Sequence, residues 1–231
     1  MLAGFWVSDY GLHLLLVALL LMMFVAPAFI AARRMHPVGL DLFFSVTVVS
    51  GVMTVARRGR FPVFTLLLAL LTLGVRWTQL FVPSPTLAIC DALLSGSMVA
   101  GLVALILTQV FRAGPVTIHR IEGAVAVYLL LGIVWGLAYR LVWLVAPGAF
   151  TEGGGPVADP SSLYYFSFVT LTTVGYGDVL PVGQAARGLA TLEALTGQLY
   201  PAILIARLVS LEIVAGHGAP PMPPGNGDAS R

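Results

Sequence analysis

Residues 172–178 read Thr-Thr-Val-Gly-Tyr-Gly-Asp. Two glycines alternate with larger residues, and glycine takes positive φ at no steric cost. A backbone running through Gly175 and Gly177 can therefore leave the strand conformation and turn successive carbonyls the same way. The carbonyl oxygens of Thr173, Val174, Gly175 and Tyr176 become stacked rings where four copies meet on one axis. The Thr173 hydroxyl adds the lowest ring. Oxygens arranged like this replace the water shell of a desolvated cation. On this path the side chains of Val174 and Tyr176 face away from the axis and pack behind the loop.

The flanking sequence fits. Residues 161–171, Ser-Ser-Leu-Tyr-Tyr-Phe-Ser-Phe-Val-Thr-Leu, form a short apolar helix candidate. Ser161 or Ser162, just after Pro160, is the expected N-cap. The segment falls well short of the ~20 residues that span a bilayer, so it reads as a re-entrant helix. Its C-terminus ends at the glycine loop, where the negative end of the helix dipole favours a cation. Irregular backbone at membrane depth is tolerated where it is buried in protein or lines water.

Composition places the chain in a membrane. Of its 231 residues, 58% are hydrophobic and only 10% charged, and the mean hydropathy is +0.96; soluble domains carry far more charge. A net charge of +2 implies no nucleic-acid partner. Cys90 is alone, which excludes an intrachain disulfide, and its apolar surroundings predict a small buried hydrophobe. The first apolar run extends from Leu12 to Ala32 without a basic leader. It is expected to be a retained spanning helix rather than a signal peptide.

Six long apolar segments appear besides the re-entrant one: Leu12–Ala32, Leu40–Ala56, Val63–Val82, Thr86–Phe111, Ile121–Val145 and Gln184–Val214. Pro, Gly and Arg punctuate them, as in Arg57-Arg58-Gly59-Arg60 and Pro83-Ser84-Pro85. The linker Pro147–Pro160, with Gly153-Gly154-Gly155, reads as a flexible turret. The Gly- and Pro-rich tail after Ala215 is expected to be disordered.

The run Thr173-Val-Gly-Tyr-Gly177 resembles the selectivity filter of potassium channels, and residues from about 116 to 215 resemble the two-helix pore module of that tetrameric superfamily. The order is outer helix, turret, pore helix, filter, inner helix. The whole chain resembles a small bacterial six-helix potassium channel. The implied fold is all-α: four N-terminal transmembrane helices (1–111), a pore domain (112–215) and a disordered cytoplasmic tail (216–231). The resemblance implies a homotetramer in the cell (inner) membrane, with potassium as permeant ion, no cofactor and no small-molecule substrate. Filter loops of such channels open outward. Both termini are then cytoplasmic, which puts Arg57, Arg58, Arg60, Arg112 and Arg120 inside, as the positive-inside rule prefers. Arg33 and Arg34 fall outside, against the rule.

Individual positions carry over. Thr173, Val174, Gly175, Tyr176 and Gly177 form the filter. Asp178 ends it, and Tyr165 occupies the pore-helix aromatic position whose phenol can donate to that carboxylate. Val169 stands where the simplest bacterial channels have a buried glutamate. Gly197 lies at the hinge glycine of the inner helix. Pro201, four residues on, leaves the Gly197 carbonyl without its helical partner, so a kink is expected; Gly197 also permits close packing. Gln198, Pro201, Ile205 and Val209 should face the cavity, with Ile205 and Val209 as the apolar ring that closes by dewetting.

Glu193, deep in the inner helix, needs a partner, and Ser167 or Thr170 behind the pore helix is within reach. Arg187 is expected to pair at a subunit contact, and Arg207 to snorkel to the cytoplasmic interface. Asp41, Arg76 and Asp91 are isolated charges whose partners the sequence leaves open. His119 and Arg120 begin the outer helix and read as interfacial anchors. The fourth segment lacks the repeated Arg or Lys of a voltage sensor; its Ser95, Gly96, Ser97, Ala100 and Gly101 suit tight packing. No acid–base constellation, metal cluster or phosphate loop points to an enzyme. Two readings compete with a passive channel: a potassium transporter subunit, which would carry four degenerate filter loops, and a non-conducting membrane sensor or scaffold.

Overall fold

The computed structural model describes residues 10–25, 38–56, 62–112, 114 and 116–217. The helices in chain order are α1 (Tyr10–Leu20), extended by a π-helical turn at Leu21–Val25, α2 (Val38–Ala56), α3 (Pro62–Phe81), α4 (Pro85–Val110) and α5 (Ile118–Val145). Strands β1 (Phe150–Glu152) and β2 (Gly155–Pro156) follow, then α6 (Ser162–Leu171), β3 (Val179–Pro181) and α7 (Gln184–His217). Pro62 and Pro85 open their helices, where a missing N–H costs nothing.

Each apolar segment read from the sequence is helical where it is described. Arg33, Arg34, Arg57, Arg58, Arg60 and the tail beyond residue 217, for which the sequence carries expectations, lie outside the described residues. Among the described residues, three helices are long and apolar enough to cross a membrane: Pro85–Val110, Ile118–Val145 and Gln184–Ile213. Shorter apolar stretches run Leu12–Phe24 and Thr65–Phe81. On α3 the leucines 66, 67, 70 and 71 are exposed, as suits a helix whose outer face meets lipid. The chain is a mostly helical membrane protein.

The core forms where α1, α2 and α4 meet α5. Leu15, Val48, Val99, Leu102, Val127 and Leu130 are all essentially inaccessible there. Of the peripheral helices, α1 and α4 pack on the outer helix, while α2 packs on α1 and α4, and α3 on α2 and α4. The pore helix α6 lies on the other side of α5. A Cβ at Gly132 would come within 2.6 Å of Phe168 Cζ, and one at Gly136 within 2.5 Å of Tyr164 Cδ1. The Gly132-x-x-x-Gly136 spacing lets the two backbones approach.

The turret differs from the expected flexible linker. Strands β1 and β2 pair antiparallel across Gly153-Gly154, both with positive φ (58° and 85°); two such residues make the turn that matches strand twist. β1 also pairs with β3, opposing Phe150 to Pro181 and Glu152 to Val179. A second core lies beneath, with Tyr139, Phe150, Leu163, Phe166 and Ala186 buried together. The tight turn and buried Phe150 order the segment.

Candidate ion pathway

The pore helix hands its last carbonyls to the filter. Val174 N–H donates to the Val169 carbonyl at 3.0 Å, and Gly175 N–H to the same oxygen at 3.3 Å. The chain then turns. Gly175 and Gly177 adopt φ of 60° and 77°, as their residue type predicts. Thr173 also has φ of 60°, an uncommon conformation for a β-branched residue, and nothing in the sequence signalled it. Residues 172–178 are all exposed on the single chain. The expectation that Val174 and Tyr176 pack behind the loop is not met within one chain: they are 53% and 71% exposed.

Helix α6 starts differently from the expected cap. Ser161 is in the N-cap position, but its hydroxyl donates to Asp159 Oδ2 at 2.7 Å instead of capping the helix. Ser162 Oγ donates to Glu152 on β1 at 2.9 Å. An acceptor so close in sequence competes for the serine hydroxyl.

Past the filter, the Tyr165 hydroxyl donates to Asp178 Oδ2 at 2.8 Å. Val179 N–H donates to Oδ1 at 3.0 Å. The phenolic hydrogen bond holds the Asp178 pKa below the usual carboxylate range.

Behind the pore helix, Glu193 of α7 is fully buried. Its Oε1 lies 2.5 Å from Ser167 Oγ, one of the two partners the sequence left open. Tyr139 donates to its other oxygen, and Ser167 Oγ is also 2.7 Å from the Gly132 carbonyl oxygen. The carboxyl thereby joins α5, α6 and α7. Tyr139 was not foreseen.

Gly197 resolves toward packing. A Cβ there would lie 2.8 Å from the Leu171 carbonyl carbon and nearer still to its oxygen. α7 runs continuously through Pro201. Gln198 Nε2 donates to Thr173 Oγ1 at 3.1 Å. Ile205 and Val209 are 62% and 53% exposed. Arg187 donates to the Pro181 carbonyl at 3.1 Å, and Arg207 lies 3.4 Å from the Phe111 carbonyl.

The isolated charges acquire partners. Asp91 Oδ2 accepts from Arg140 Nη1 at 2.6 Å, and Arg76 Nη1 is 3.5 Å from the same carboxylate. Ser95 adds a hydrogen bond at 3.2 Å. Arg140 was not singled out in the sequence, and Asp41's side chain lies outside the described residues. Arg120 is buried and donates to the Gly114 carbonyl at 3.0 Å, so it is more than a surface anchor. Two small expectations fail. Cys90 is only half-buried, and Gly101 faces open space instead of a packed neighbour.

A short re-entrant helix, a glycine-bent carbonyl loop and a long inner helix behind it define a pore-loop channel module. Residues 125–212 match the family described as "Ion channel". Among curated proteins, an inward rectifier potassium channel, Kirbac3.1 of Paramagnetospirillum magnetotacticum, is 36% identical over 93 residues, covering 38% of this chain and 27% of that protein. Two pore potassium channel c of Oryza sativa subsp. japonica is 34% identical over 88 residues, 38% of this chain and 19% of that one. Protein LctB of Bacillus caldotenax is 34% identical over 87 residues, 36% and 64% respectively. The chain spans less than two thirds of the length of each of these relatives. No solved structure gave a significant match. Over this stretch the chain is similar to an ion-channel family and to potassium channels, and the matches point to a channel rather than an enzyme.

Proposed function

We propose that the protein is a homotetrameric, potassium-selective channel of the cell (inner) membrane, with both termini cytoplasmic, that conducts passively. The carrying observation is the loop at 173–177, bent at Gly175 and Gly177 and fully exposed on one chain. One filter per chain needs fourfold closure to make carbonyl rings. The inner helix supports this. Only 6% of its membrane-length window is buried in the single chain, against 44% and 50% for α4 and α5. The carbonyls of Thr173 to Tyr176 and the Thr173 hydroxyl bind the ion; Tyr165 and Asp178 brace the mouth. Gln198 faces the cavity, Gly197 seats the inner helix against the pore helix, and Ile205 and Val209 form the narrow apolar ring. Voltage has little influence on opening, because α4 carries no basic residue.

The test is ion flux in liposomes. The purified chain should pass potassium and exclude sodium. Gly177→Ala should abolish or de-select that flux: the Cβ has free space, but an alanine at positive φ costs ~1–2 kcal/mol in each of four subunits. Equal potassium and sodium permeability of the unaltered protein would refute the reading.

A further inference from the structure

At the end of α5 farthest from the filter, three side chains from two helices converge. His13 comes from α1; His119 and Glu122 come from the first turns of α5. His13 Nδ1 is 3.1 Å from Glu122 Oε2, and His119 Nδ1 is 3.2 Å from the same oxygen. One ligand atom from each residue lies within 4.8 Å of the other two. The imidazoles are tilted together with centroids 5.4 Å apart. From this geometry we infer a divalent transition-metal site of the two-histidine, one-carboxylate type.

The distances suit that use. Ligands held 2.0–2.2 Å from a tetrahedral zinc ion stand about 3.3–3.6 Å from one another. The two histidine–glutamate separations need only a few tenths of an ångström of adjustment. Imidazole nitrogen selects zinc, copper, nickel or cobalt over magnesium and calcium. His119 and Glu122, three residues apart, share one helix face. His13 reaches them because α1 packs closely there, Leu12 lying against Gly123. Arg120, the neighbouring cation, is turned to the Gly114 carbonyl. Side-chain exposures of 52% for His13 and about 25% for the other two leave a path for the ion and a water in the fourth position. The bound metal would clamp α1, a peripheral helix, to the outer helix of the pore module.

The experiment uses the full chain in lipid nanodiscs, purified without a histidine tag. Cobalt(II) chloride is titrated alone, followed by displacement with zinc chloride. The expected result is one cobalt per chain, with the intensified visible bands of a low-coordinate nitrogen–oxygen site. His13→Gln and Glu122→Gln should each weaken binding by at least about tenfold, the lower bound for disturbing a metal site's surroundings. The double variant His36→Gln, His217→Gln should bind as the wild type does. Zinc should also slow amide exchange along α1 in the wild type alone. Absence of metal-dependent bands in the wild type, titrations unchanged in both ligand variants, or loss of binding in the double control would overturn the site. Binding without slowed exchange in α1 would overturn the clamp. None of these readouts requires the pore to conduct.

Discussion

Replacing Gly197 by alanine separates two roles that the sequence left side by side. As a hinge, Gly197 weakens its helix, and alanine would strengthen it by roughly 0.8–1 kcal/mol. As a packing contact, it admits the pore helix, and alanine would hurt. The structure favours the second effect. The new Cβ would be 2.8 Å from the Leu171 carbonyl carbon and 3.1 Å from its Cα, where carbon atoms rest at about 3.5–4.0 Å. The obstacle is backbone, so no rotamer change relieves it. Leu171 ends the pore helix one residue before the filter run, and its carbonyl also accepts from Tyr128 at 3.2 Å. Overpacking of this kind costs about 1–3 kcal/mol, which exceeds the propensity gain. The expected outcome is a lower thermal midpoint for the purified channel in detergent, together with impaired potassium flux. Gly101→Ala is the control, since nothing lies within 4 Å of its Cβ; it should cost nothing measurable. A Gly197→Ala protein as stable as the wild type, with altered open probability but intact selectivity, would refute the packing argument and restore the hinge.

Glu193→Gln should be tolerated, because an amide can accept from Tyr139 and donate to Ser167, whereas Glu193→Leu strands the Tyr139 hydroxyl at roughly 1–3 kcal/mol and leaves Ser167 its bond to the Gly132 carbonyl; similar thermal midpoints for the two variants would contradict this. Asp178 is held below its ordinary pKa, so its contact with Tyr165 is fully present above the ordinary carboxylate range and is lost as pH falls through the lowered value. Tyr165→Phe should let Asp178 take up its proton at higher pH, read as the acid midpoint of potassium flux; identical midpoints would mean the hydrogen bond does not govern the mouth. Single-channel recordings should show shallow voltage dependence, since each charge crossing the field contributes ~2.3 kcal/mol per 100 mV and α4 offers no basic array. In the same recordings Val209→Asn should ease wetting of the apolar ring and raise resting open probability; a steep voltage response, or an unchanged open probability, counts against the respective claim.

The parts legible in the sequence were those encoded by neighbours along the chain. Apolar runs marked the helices, and the Gly175–Gly177 alternation marked the two positive φ angles. What was missed depends on chain segments that meet only on folding. Arg140 finds Asp91 across 49 residues, and Tyr139 finds Glu193 across 54. Neither pair has a local signature, because a buried polar group accepts any suitably placed partner. The turret is a different case. Gly153-Gly154 was read as flexibility, although two adjacent glycines are also what a tight hairpin turn requires. Phe150 and Val157 beside it were the available hint of burial. Likewise, Gly132-x-x-x-Gly136 announced close helix approach and passed unused.

The faces of the inner helix separate cleanly along its length. Ala186, Glu193, Gly197 and Leu211 are its buried residues, spaced by seven, four and fourteen, so they form one stripe. That stripe faces the chain's own pore helix and outer helix. Gln198 is one residue off it, turned by about 100° at 3.6 residues per turn, and touches the Thr173 hydroxyl at the base of the filter. Ile205 and Val209 follow Gln198 by seven and eleven residues, which returns each to within about 20° of its direction. Any axis that passes the filter on the Gln198 side therefore passes both apolar residues lower down. The helix is continuous between Gln198 and Val209, so these three residues keep to one face.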